Sequence, residues 1–173
     1  MDINSNTLTK AKEILNSSEF KNKLKRSLQE QIIQERVDND LKEDVIIIDD
    51  ELDKKIFTPE IIKKAVDFCK QELGITIPIK VVLSASRDGF TTHAYYKIST
   101  GEVYVYCKAR NIIDVVRSIF HEISHVLQDV NDEITDKNSG SKNDGNDIEN
   151  FANAKAGELV RKFGRENSNL YYL

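Results

Sequence analysis

His121, Glu122 and His125 stand within Phe120-His121-Glu122-Ile123-Ser124-His125, and their types and spacing suit one kind of chemistry. Residues four apart on a helix share a face, so His121 and His125 can present two imidazoles to one ion while Glu122 sits beside them. This is the pattern of a hydrolytic zinc site. Two histidines and a third protein ligand hold one Zn2+ ion, and the fourth position is left to a water whose pKa the metal lowers. Glu122 is then the catalytic base that takes the proton from that water. The plainer alternative is two half-buried histidines on an ordinary helix. The chain has only three histidines, and two of them fall in the motif, which weighs against coincidence.

The elements around the motif sharpen this reading. Asn111 is a suitable helix cap. Ile112, Val115, Val116, Ile119, Phe120, Ile123, Val126, Leu127 and Val130 then supply a wide apolar surface at helical spacing. A helix so apolar is mostly buried, and two histidines and a glutamate buried with it need partners for their polar groups, which a metal would satisfy.

Candidates for the third ligand are His93, the acidic residues of the polar segment 131–147, and Glu149 at the start of the last helix. Geometry favours Glu149. On a helix it aligns with Ala152, Asn153, Ala156 and Val160 along the margin of the apolar face, beside small residues that permit close packing. The competing role is local: Asn146-Asp147-Ile148-Glu149 has capping-box spacing, in which Glu149 bonds backbone amides. Asp144 and Asp147 are reserves, and Asn153, one turn on, is placed to orient a ligand by hydrogen bonding. His93, Tyr95, Tyr96, Tyr104 and Tyr106 are candidate oxyanion donors from the neighbouring strands, although tyrosines at such positions more often pack across strands.

Residues 1–43 are expected to form an N-terminal helical extension. Leu8, Ala11, Ile14, Leu15, Leu24, Leu28, Ile32 and Ile33 recur at helix-like intervals, with a break near Asn16-Ser17-Ser18. Eight acidic and eight basic residues from Asp2 to Glu43 balance its charge, which suits a packing arm, a cover for the cleft or a partner-binding helix. Val45-Ile46-Ile47-Ile48 reads as a short strand or an extended linker. Thr58-Pro59-Glu60 opens a helix that Gly74 ends. Strands are expected over Ile75–Ser86, Phe90–Ile98 and Glu102–Cys107, joined by turns at Asp88-Gly89 and Ser99-Thr100-Gly101 into a meander. Segment 131–147 reads as a polar loop, and seven acidic residues against two lysines lie between Gln128 and Glu149. The last helix begins near Asn146 or Asp147 and is expected to stop at Gly164.

With 173 residues the chain suits one domain plus an extension. A formal net charge of −4 and no basic patch exclude a nucleic-acid binder that works by neutralising phosphates. Cys69 and Cys107 are far apart and form no C-x-x-C pair, so buried free thiols are expected. The start Met1-Asp2-Ile3-Asn4-Ser5 lacks signal-peptide character and no apolar run approaches a membrane span, so the expected location is cytoplasmic, with no membrane partner.

Gly101-Glu102-Val103-Tyr104-Val105-Tyr106, then His121-Glu122-x-x-His125, then Glu149-Asn150-Phe151-Ala152-Asn153-Ala154 resembles the ImmA/IrrE-type metallopeptidases within the gluzincin group. The likeness covers about Thr58 to Phe163. It implies that His121, His125 and Glu149 are the zinc ligands, that Glu122 is the base, and that the fold is zincin-like with an edge strand that pairs with extended substrate. Ser124 stands where many relatives have glycine, and Gly157-Glu158-Leu159-Val160 replaces the usual apolar ending.

The expected protein is therefore α+β: residues 1–43 as the helical extension and 44–173 as a zincin-like metallopeptidase domain of helix, three-stranded antiparallel or mixed sheet, active-site helix and C-terminal ligand helix. It acts on a protein or peptide substrate, aligned by the strand at Glu102–Cys107. The rival expectation is a non-catalytic binding, regulatory or structural protein on the same scaffold, with a structural or lost zinc site.

Overall fold

One compact unit spans Leu41–Leu173; within it a computed structural model describes residues 43–89, 93–98, 100–131, 133–134 and 147–172. The helices expected before Val37, the first residues of the strand expected from Phe90, the Asn146 cap and most of the polar segment 131–147 lie outside the described residues.

The described elements run β1 (Val45–Ile48), α1 (Pro59–Leu73), β2 (Lys80–Ser84), β3 (Ala94–Lys97), β4 (Glu102–Tyr106), α2 (Ile112–Val130), α3 (Asp147–Glu166) and a 3-10 turn at Ser168–Tyr172. They make an α+β fold of three α-helices and a four-stranded mixed sheet. Its strand order is β1-β2-β4-β3, with β1, β2 and β4 parallel and β3 antiparallel to β4.

This corrects the three-stranded meander. Val45–Ile48 is a true strand, joined to β2 by the α1 crossover that parallel neighbours require. The chain then passes to the far edge as β3 and returns through a turn, with Gly101 at φ 65°, so that β4 inserts between β2 and β3. β4 is thus paired on both sides, and Glu102–Cys107 cannot be the edge that was expected to align a substrate. Among the described strands the two edges are β1 and β3.

Local chemistry explains the helix ends. The Thr58 side chain accepts from the Ile61 N–H at 3.3 Å, Pro59 occupies the first turn, and Gly74 closes α1 in the left-handed region at φ 68°. Asn111 caps α2 by accepting from the Ile113 N–H at 2.9 Å. α3 departs from expectation: it runs through Gly164 to Glu166. Gly164 is buried there, and an αR glycine within a packed helix is held by its neighbours despite its weak propensity. Asp44 links β1 to the next strand and to α1, taking both the Lys70 ammonium at 2.6 Å and the Ile79 N–H at 2.8 Å.

The core lies between one face of the sheet, where Val81, Leu83, Val103 and Val105 are fully buried, and the helices. Phe68 of α1, Phe120 of α2 and Phe163 of α3 meet there, with ring centroids 5.2 to 5.9 Å apart. Ala152 and Ala156, both fully buried, belong to the face of α3 that packs inward. Phe120 immediately precedes His121, so the cluster that joins the helices also anchors the motif.

Candidate metal centre

α2 buries its apolar stripe while carrying Glu122, Ser124, His125 and Gln128 into the interior, each 8% exposed or less. Each polar group there needs a partner. Ser124 satisfies itself by donating to the Phe120 carbonyl at 2.8 Å, one turn back.

His121 and His125 turn their Nε2 atoms toward each other, 3.2 Å apart. From α3, the Glu149 carboxylate completes the group: Oε2 lies 3.2 Å from His121 Nε2 and Oε1 3.5 Å from His125 Nε2. Ligands about 2.0–2.1 Å from a tetrahedral ion are separated by about 3.3–3.4 Å, close to the 3.2 Å between the two histidine nitrogens, and Glu149 brings a different oxygen near each of them. The donor set, two imidazoles and a carboxylate, also suits zinc.

Glu122 stands with the two histidines as a further carboxylate of the group. Its carboxylate is within 4.8 Å of the histidine nitrogens. Burial pushes the Glu122 carboxyl up to about 8, with Glu149 adding to the rise and the Tyr96 backbone N–H, which donates to it, opposing. Burial also lowers the pKa of His121, helped by His125 and resisted by Glu149, which favours the neutral imidazole that a metal ligand must be.

β3 frames the site. The Tyr106 N–H donates to the His93 carbonyl at 2.8 Å, which sets the ladder phase and turns the peptide groups of Ala94 and Tyr96 away from β4. Tyr96 is tied twice to α2, through its N–H to Glu122 and through its hydroxyl to Asp129 Oδ2 at 2.7 Å.

The residues anticipated from the sequence are therefore distributed unevenly. His121, Glu122, His125 and Glu149 come together. Asn153 is exposed on α3. Tyr104 alternates with buried Val103 and Val105 and so lies on the opposite sheet face, stacked on Tyr95 at 4.9 Å and donating to the Ser86 carbonyl. His93 is exposed, beside Arg87 and edge-on to Tyr106. Among the proposed oxyanion donors, Tyr96 is tied to the motif helix. The residue that sequence reasoning passed over is Gln128: its Oε1 lies 2.8 Å from His125 Nδ1 and its Nε2 donates to the Ile148 carbonyl at 3.1 Å. A glutamine one turn beyond the second histidine, on an otherwise apolar face, was the available signal.

No family model matches the chain, and no match is found among curated proteins or solved structures.

Proposed function

We propose that this protein is a zinc-dependent metallopeptidase of zincin-like, gluzincin type, with His121, His125 and Glu149 as the ligands of one zinc ion and Glu122 as the general base. The observation that carries the reading is the convergence of the two imidazoles and the Glu149 carboxylate at 3.2 to 3.5 Å beside a second, buried carboxylate, that of Glu122. Three electron-pair donors so close repel one another unless a cation or shared protons lie among them.

When bound, zinc would polarise a peptide carbonyl and lower the pKa of a water. Glu122, in its ionised form, takes a proton and later delivers it to the leaving amine; its buried position shields that transfer from bulk solvent. The neighbouring edge strand β3 is suited to align an extended peptide through the Ala94 backbone, which is directed away from β4, while the Tyr96 N–H is held by Glu122. That edge supports the reading of a protein or peptide substrate.

The test is Glu122→Gln, assayed on a quenched fluorescent peptide library and an unfolded protein. The variant should keep zinc and lose about 10²-fold or more in turnover, the usual weight of a general base. Cleavage as fast as the parent's would refute the base assignment. Zinc retained by a parent that cleaves nothing would favour the non-catalytic scaffold.

A further inference from the structure

We propose that Gln128 is a positioning residue of the metal centre, fixing the tautomer of His125 and tying that ligand to the start of α3; this rests on the zinc reading above. Gln128 is 1% exposed, so both ends of its amide must be satisfied by protein. The Ile148 carbonyl can only accept, and it lies 3.1 Å from one end. That end must therefore be the NH2 group, which leaves the carbonyl Oε1 facing His125.

Oε1 can only accept as well, and it stands 2.8 Å from His125 Nδ1. Nδ1 must then carry the hydrogen, and in the neutral ring the lone pair is left on Nε2. Nε2 is the atom that faces His121 and Glu149. The opposite tautomer would put an N–H into the site and set two acceptors against each other at Gln128. Flipping the amide instead would bring Oε1 against the Ile148 carbonyl. Both alternatives lose a buried hydrogen bond.

The same amide bridges the two ligand-bearing helices. Ile148 directly precedes Glu149, so one side chain links His125 to the residue beside another ligand. A hydrogen-bonded partner of this kind typically contributes ten- to a hundredfold to metal affinity. A residue that merely fills space would be replaceable by leucine, whereas one that holds a tautomer would not.

Two measurements decide it. In metal-free parent protein at about pH 8.5, above the ordinary histidine range, long-range 1H–15N correlation spectra should show His125 protonated at Nδ1. A dominant Nε2–H form would overturn the proposal, and this reading needs no variant to fold. Zinc affinity, by competition with a chromophoric chelator, should fall about 10- to 100-fold in Gln128→Leu. It should recover only in part in Gln128→Glu, which keeps an acceptor for Nδ1–H but sets its second oxygen against the Ile148 carbonyl; no recovery at all over Gln128→Leu would overturn the tautomer role. Parent-like affinity in Gln128→Leu would overturn this inference alone. Failure of the parent to bind zinc would overturn the metal reading and this inference together.

Discussion

Replacing Glu122 by glutamine should stabilise the metal-free protein, increasingly so as pH rises. The Glu122 carboxyl is pushed from an ordinary 4.5 up to about 8, chiefly by burial. The folded state therefore holds the proton more tightly than the unfolded state. Stability falls as pH rises from about 4.5 and the loss is complete once pH passes about 8. At 1.36 kcal/mol per pH unit, the full penalty on the folded state is about 5 kcal/mol. Glutamine is nearly the same size, can still accept from the Tyr96 N–H, and carries no charge to desolvate. Denaturant unfolding of chelator-treated parent and Glu122→Gln, at intervals from about pH 5 to pH 9, reads the difference directly. The two should nearly coincide at the acid end, with the variant ahead by several kcal/mol at the alkaline end. Zinc should narrow the gap, because a nearby cation favours the ionised carboxyl. Parallel stability profiles in the metal-free state would refute the argument that Glu122 is a desolvated carboxyl.

Tyr96→Phe removes the hydroxyl bonded to Asp129 at 2.7 Å; the loss should cost about 1.5–3 kcal/mol, as for a hydrogen bond to a charged group, measured by denaturant unfolding. An unchanged midpoint would mean that this tie between β3 and α2 contributes nothing. Phe120→Ala opens a cavity where α1, α2 and α3 meet and should cost about 3–5 kcal/mol, read from the same curves. It should also weaken zinc binding, since Phe120 adjoins His121, and parent-like zinc affinity would separate the aromatic cluster from the site.

What the chain disclosed before its structure was local. Thr58, Pro59, Gly74 and Asn111 act through backbone groups within four residues, and the helix ends they predict stand. His121, Glu122 and His125 are related by helical spacing alone, so their shared face was readable. Glu149 was reachable as well, because the small residues Ala152 and Ala156 mark the face of α3 that packs inward. Pairing between distant segments was not encoded so openly. Val45-Ile46-Ile47-Ile48 has no periodicity that separates strand from linker, and nothing local says that β4 inserts between β2 and β3. That insertion places β3, not β4, at the edge of the sheet. The placement of Tyr104 was hidden for a related reason: its alternation with Val103 and Val105 was visible, but which face met the helices was not. Asn153 and Gln128 show the limit of helical geometry. Asn153 was one turn along from Glu149 yet on the exposed side, whereas Gln128 gained its role from the Ile148 carbonyl twenty positions away.

Metal content bears most directly on the central claim. Elemental analysis of the purified parent should find about one zinc per chain, the capacity of a single tetrahedral site, and His121→Ala and Glu149→Ala should each lose it. Stoichiometric zinc in both variants would contradict the assignment of His121, His125 and Glu149 as the ligands.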